Sequence, residues 1–224
     1  MIPIKIKRGR FKRAERFYLP SDYTEMTLGQ YLDHKRHTGS VGDLIAYLAK
    51  CPYKLDADQF VPFLVWLAEP LDVAIFKPDP DLFDIKRKTL GQKITAHNAL
   101  KDDATMFGVE KVVKIYFPDS DPLNQPLSEV MPRYLAIVDQ IEFILQVEKD
   151  RLDTTPTAEQ IRAGVESFSE LGYFNQIDDL AAALHLTYDA VLELEYIVAF
   201  QKLLRMKIST TFEKRYNEIL REKK

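Results

Sequence analysis

Apolar residues recur at steps of three and four along two stretches of the chain. From Ser128 to about Lys149 they are Tyr134, Ile137, Val138, Ile141, Ile144 and Leu145. From Ile197 onward they are Phe200, Leu204, Ile208, Phe212, Tyr216 and Ile219, with Lys202, Lys214, Glu218 and Glu222 between them. Side chains spaced in this way share one face of an α-helix, so both stretches predict amphipathic helices. In the second, Ser209-Thr210-Thr211 is the expected weak point, because short hydroxyl side chains compete for backbone hydrogen bonds and bend or divide a helix. Its stripe needs cover, from the protein's own core or from another subunit. Between the two stretches, Thr155-Pro156 and Gly172 bracket a helix over 156–171. A short helix follows over 177–184, and Thr187 caps a third. Strand signals are sparse. Ile2, Ile4 and Ile6 alternate with Lys5 and Lys7 at the period of a short edge strand, Phe17 to Pro20 reads as extended, and Leu71 to Phe76 reads as a short strand before the prolines at 78 and 80. The fold expected is mainly α with minor β.

Thr27-Leu28-Gly29-Gln30 recurs as Thr89-Leu90-Gly91-Gln92. Each is a capping box, in which the threonine hydroxyl accepts the backbone N–H three residues on and the glutamine side chain accepts from the threonine N–H. Each therefore predicts a helix start. A compact apolar stretch follows each copy, Leu44–Leu48 and Val112–Tyr116. Then come two N-cap candidates, Asp58 and Ser128, each four residues before a proline, Pro62 and Pro132. The pattern reads as a diverged internal duplication over 21–76 and 83–152. The expected organisation is a basic arm with a short extended segment (1–20), a helical N-terminal region (21–152), and a C-terminal helical module (153–224) that ends in the long amphipathic helix.

Composition narrows the class. With 46% apolar and 29% charged residues the 224-residue chain is an ordinary folded protein, long enough for one large core or two small ones. A single cysteine, Cys51, excludes an intramolecular disulfide and every multi-cysteine metal site. The longest run without a polar residue, from Phe60 to Ala68, is far short of the roughly 20 residues that span a bilayer. The basic N-terminus also lacks the apolar core of a signal peptide. No membrane association is expected. The net charge of −3 hides an asymmetry. Lys5, Lys7, Arg8, Arg10, Lys12, Arg13 and Arg16 against Glu15 give the first 16 residues +6, and leave −9 for the rest. A basic arm on an acidic body points to an anionic partner, either nucleic acid touched without sequence preference or an acidic protein surface. Its alternating isoleucines, with Phe11, suit instead a clasp on a neighbouring subunit.

Candidate chemistry is thin. His34 and His37 share a helix face beside Asp33 but have no third ligand at a metal-binding spacing. Asp79, Asp81 and Asp84 mimic the start of a calcium loop, yet prolines stand between them and the glycine of such loops is absent. Cys51 has no cationic helix end or nearby histidine in sequence to activate it, and the eight glycines form no phosphate-cradling loop. No catalytic, cofactor or metal residue is assigned, and no enzyme activity is expected. Asp179 to Leu192 has the outline of a helix-turn-helix, but from Gly172 to Glu195 there are five acidic residues and no lysine or arginine. Phosphates would repel such a recognition helix.

The order of Phe17-Tyr18-Leu19-Pro20, Thr27-Leu28-Gly29-Gln30, a helical middle, Phe174 to Ala181 and Thr187 to Leu192 resembles small helical morphogenesis proteins of tailed bacteriophages. The nearest likeness is to tail-assembly-chaperone-like and related virion proteins, including head-tail and tail components of the crAss-like group. The resemblance implies a non-enzymatic structural or assembly role in the portal, neck or tail region, in a virion assembled in the host cytoplasm. It implies no cofactor, and partners that are other virion proteins or further copies in an oligomer or ring. The alternative is a cellular helical adaptor or nucleic-acid-binding module that uses the basic arm. Interface candidates are Ile2, Ile4, Ile6, Phe11, Ile197, Phe200, Leu204, Ile208, Phe212, Tyr216 and Ile219. Polyanion-contact candidates are the seven basic residues of the arm.

Overall fold

A computed structural model of the chain describes residues 2–6, 15–36, 40–51, 67–68, 70–79, 84–103, 105–106, 108–152 and 158–222. The fold is mainly α with minor β. Two strands, β1 (Ile2–Ile6) and β2 (Glu15–Leu19), pair antiparallel, with Ile2 opposite Leu19, Ile4 opposite Phe17 and Lys5 opposite Arg16. The helices are α1 (Leu28–Arg36), α2 (Val41–Leu48), α3 (Leu90–Asp102), α4 (Val109–Tyr116), α5 (Leu127–Leu152), α6 (Ala158–Arg162), α7 (Phe174–Leu184), α8 (Tyr188–Leu192) and α9 (Tyr196–Glu222). They form two compact units, each drawn from two stretches of sequence: Met1–Asp79 with Asp103–Ala136, and Pro80–Asp102 with Ile137–Lys224. Residues 80–102 thus belong with the C-terminal helices rather than with the rest of 21–152.

In the first unit the capping box at Thr27 closes as its sequence predicts. The Thr27 N–H donates to Gln30 Oε1 at 3.0 Å, and the Gln30 N–H donates to Thr27 Oγ1 at 3.1 Å. The box also does something that its sequence does not announce. Leu28 N–H donates to the Gln125 carbonyl at 3.1 Å, and Leu127 N–H donates to the Met26 carbonyl at 2.7 Å. The starts of α1 and α5 therefore satisfy each other's otherwise unpaired donors. Around this bridge Leu28, Tyr31, Leu32, Ile45, Val109, Val113, Leu127, Val130 and Met131 are buried.

The second unit repeats the device. Thr89 and Gln92 close the same box at 3.1 Å both ways. Leu90 N–H donates to the Leu194 carbonyl and Tyr196 N–H to the Lys88 carbonyl, each at 2.8 Å, so α3 and α9 start against one another. In both copies a single turn of 3-10 helix precedes the box, capped by an aspartate five residues before the threonine. Asp22 accepts from the Thr24 N–H and Asp84 from the Lys86 N–H. The glycine of each box faces the partner segment's backbone, where a Cβ would lie 2.7 Å from the Leu123 carbonyl oxygen at Gly29 and 3.2 Å from that of Leu192 at Gly91. Leu90, Ala96, Ala99, Ile137, Ile141, Ile144, Leu180, Val191, Tyr196 and Ala199 are buried in this unit.

The repeat does not extend as the sequence pairs it. The helices holding Leu44–Leu48 and Val112–Tyr116 both lie in the first unit. Asp58 and Pro62 fall outside the described residues. Ser128 lies inside α5 rather than capping it, because the bond from Leu127 N–H to Met26 starts the helix two residues earlier than a cap at Ser128 would, and Pro132 stands in the helix interior. Other elements differ as well. Val73–Ile75 is a 3-10 turn and not a strand, since the Asp72 carboxylate caps the Ala74 N–H at 2.9 Å. The helix expected over 156–171 is divided by Gly164, whose φ of +83° ends α6 before a 3-10 segment, Val165–Leu171. Gly172, at φ +53°, supplies the expected stop. Thr155 and Pro156 lie outside the described residues. Finally, α9 runs unbroken through Ser209-Thr210-Thr211.

Candidate interaction surfaces

The stripe on α9 changes character along its length. Tyr196 and Ala199, at the start of the helix, are buried against the second unit, while Ile197, Phe200 and Leu204 are half-buried. The Lys207 ammonium donates to the Arg151 carbonyl at the end of α5, 2.8 Å away. Beyond that anchor every residue from 208 to 222 is exposed. Ile208 is 60% exposed, Phe212 67%, Tyr216 52% and Ile219 50%. The rings of Phe212 and Tyr216 stack one turn apart, with centroids 5.9 Å apart and planes 10° apart, and so form one aromatic plate. A groove of about 500 Å³ runs beside it, lined by Leu204, Ile208 and Phe212 with the ends of Arg151 and Arg215. The interface candidates on this helix thus divide into a half seated on the protein and a half facing water.

At the other end of the chain, Ile2, Ile4 and Ile6 lie on β1, and Arg16, on β2, is exposed. The register sets Lys5 opposite Arg16. Lys7, Arg8, Arg10, Phe11, Lys12 and Arg13 lie outside the described residues.

The weaker candidates find ordinary roles. His34 Nε2 lies 3.2 Å from the Leu67 carbonyl, and His37 is outside the described residues. Asp33 accepts from the Tyr47 hydroxyl; burial, then the hydrogen bond to Asp33 and its charge, push that phenol up to about 12. Cys51 is buried. Among the described residues no group of three His, Cys, Asp or Glu side chains is placed to hold a metal, and no helix is long and apolar enough to cross a membrane. The helix-turn-helix outline resolves into α7, a turn at His185 with φ of +54°, and an α8 of five residues whose Tyr188 hydroxyl donates to Asp178. So short a second helix, held by acidic neighbours, makes a poor groove reader.

One cluster escapes the reading of motifs. Lys93, on α3, has no exposed surface, and its ammonium donates to Glu148 Oε1 and Oε2 at 3.0 and 2.8 Å and to the Tyr173 hydroxyl at 3.1 Å. All three of its protons are used. The same ammonium lies 4.4 Å from the centroid of the Tyr173 ring and 5.7 Å from that of Tyr196. His97 Nδ1 meets the Tyr173 hydroxyl. Burial pushes the Lys93 ammonium down, against the Glu148 carboxylate that favours its charge. Burial, then the Glu148 charge, push the Tyr173 and Tyr196 phenols up. The signal in sequence was spacing: Leu90, Lys93, Ala96 and Ala99 follow steps of three, which put a lysine on a face otherwise made of core residues. The cluster ties α3, α5, Tyr173 and the start of α9 together, with every lysine donor satisfied inside the protein. This is the arrangement of a structural polar centre.

The cluster carries a pH dependence. Burial first, then the charges of Lys93 and Lys101, lower the pKa of His97 below its ordinary 6.5. The unfolded chain therefore binds this proton more readily than the folded one. Its contribution to stability is complete above the unfolded value and is lost as pH falls through the folded value. Thermal melts at pH 7.5 and 5.5 should show a larger loss for the natural chain than for His97→Gln, which keeps a hydrogen-bonding side chain but cannot charge. Equal losses would exclude His97 as the source.

No family model, curated protein or solved structure compared with the chain gives a match.

Proposed function

We propose that the protein is a non-enzymatic structural or assembly component that acts through protein–protein contacts, in the portal, neck or tail region of a tailed-phage virion assembled in the host cytoplasm. The observation that carries the contact role is the water-exposed half of α9. Contiguous apolar patches on a helix held clear of its own core are a signature of interaction surfaces. The phage setting rests on the resemblance of the chain's sequence order to tailed-phage morphogenesis proteins. Phe212→Glu charges the centre of the patch without touching a buried residue. It should abolish capture of the assembly partner while leaving far-UV circular dichroism and solubility unchanged. Loss of helicity would place Phe212 in the fold instead. Mass spectrometry of purified particles should find the chain, and its absence from them would remove the virion setting.

The charge of the arm, +6 over residues 1–16, favours a second reading for it, contact with a polyanion. Such binding follows counterion release and should fall steeply between low and physiological salt. Titration with nonspecific duplex DNA measures it. Tight binding that survives physiological salt, with partner capture unaffected by Phe212→Glu, would replace the assembly role with that of a nucleic-acid-binding adaptor.

A further inference from the structure

We infer that the exposed half of α9 pairs with α9 of a second copy of this chain, side by side and parallel; the inference rests on reading that stripe as an interface. Three observations carry it. The first is reach. Fifteen exposed residues, 208–222, continue the helix beyond its anchor at Lys207 by about 22 Å at 1.5 Å per residue, enough for three facing layers of side chains. The second is charge. Residues 208–222 hold Glu213, Glu218 and Glu222 against Lys214, Arg215 and Arg221, a net of zero. Nucleic acid or an anionic lipid surface calls for a basic face, and a strongly acidic or basic protein for the opposite sign. A neutral segment meets its own copy without net repulsion.

The third observation fixes direction. At about 100° per residue, Glu213 stands about 100° to one side of Phe212, and Arg215 about 60° to the other. In a parallel two-fold pair each flank meets the opposite flank of the partner at nearly the same height, so Glu213 of each copy faces Arg215 of the other. An antiparallel pair centred on the stripe turns each flank toward itself, and sets Glu213 near Glu213 and Arg215 near Arg215. Parallel pairing also stacks like on like along the seam, with Ile208, Phe212 and Ile219 each against its copy. So short a seam buries less than the roughly 800 Å² per partner of a standard interface, so the dimer should be weak and concentration-dependent.

Sedimentation of the purified full chain over a concentration series should therefore show a shift from 26.0 kDa toward twice that mass, and Phe212→Glu should abolish the shift. Glu213→Arg should weaken the dimer about 3- to 10-fold, and adding Arg215→Glu to it should restore the affinity. Ile219→Cys should cross-link to itself on oxidation, with the natural chain, whose Cys51 is buried, as control. A monomer at every concentration overturns the proposal, and if Phe212→Glu then still prevents partner capture, the stripe remains an interface with a different protein. A dimer indifferent to Phe212→Glu moves the self-contact elsewhere and also overturns it. A dimer that forms without the Ile219→Cys cross-link overturns the parallel arrangement, because an antiparallel pair separates the two positions by about 15 Å along the axis.

Discussion

Glu148→Ala is expected to cost the second unit about 3–5 kcal/mol, the range found when one member of a buried ion pair is removed and the other is left charged. Lys93 has no exposed surface, and Glu148 shows only 12% of its side chain. Without the carboxylate, the ammonium keeps one oxygen partner, the Tyr173 hydroxyl, and two ring faces, in surroundings that already depress its pKa. The larger part of the loss is the cost of leaving that charge uncompensated, so removing both partners should recover much of it. Lys93→Met with Glu148→Leu keeps the volumes and removes both charges, and such replacements are often neutral. Urea unfolding followed by circular dichroism compares the two. If single and double variants lose equal stability, the cluster acts through the shape of its side chains rather than through its charges.

Gly29→Ala should cost about 2–3 kcal/mol, whereas Gly91→Ala should come out close to neutral. An added methyl at Gly29 would lie 2.7 Å from the Leu123 carbonyl oxygen. That oxygen belongs to backbone held in place by the reciprocal bonds between Met26, Leu28, Gln125 and Leu127, so the strain cannot be relieved by a side-chain rotation. At Gly91 the corresponding distance is 3.2 Å, which a shift of a few tenths of an ångström accommodates. There the gain of up to about 1 kcal/mol from replacing a helical glycine by alanine offsets the crowding. Thermal denaturation of the two variants checks the contrast. Equal effects at both sites would mean that the two bridges are equally tight.

Legibility in the sequence followed the range of the interaction. The capping boxes were readable because Thr27 and Gln30, like Thr89 and Gln92, lie three residues apart and bond through their side chains. What these boxes meet was not. Gln125-Pro126-Leu127 and Leu194-Glu195-Tyr196 share no residue at corresponding positions, since the bridges use backbone groups that every sequence carries. The expected cap at Ser128 failed for the same reason: the bond to Met26 sets the start of α5, and no local residue announces it. Val73, Ala74 and Ile75 suggested a strand by composition, yet Asp72 turned them into a capped helical turn. On α9 the apolar period continues unchanged past Leu204 although burial ends there. Periodicity shows that a face is apolar; whether the protein reaches it depends on where α5 stops, which only the structure supplies. Lys93 was within reach of the same periodicity, as a charge standing on a core face.

The two bridges also set a timetable for synthesis. Thr27 finds its counterpart, Pro126, only after about a hundred further residues have been made, and Thr89 waits a similar span for Glu195. At the 5–20 residues per second of translation, each early helix start spends roughly 5–20 s without the strand of chain that completes it. The spans overlap, since Thr89 is made before Pro126 arrives, so for part of that time both half-sites coexist and each presents the same Thr-Leu-Gly-Gln edge. The nascent chain must then seat the segment at 126 on the earlier of two similar edges. A nascent chain that has emerged from the ribosome as far as about residue 150 should hold the first unit closed and the second open, with residues 80–102 sensitive to protease until the last helix emerges.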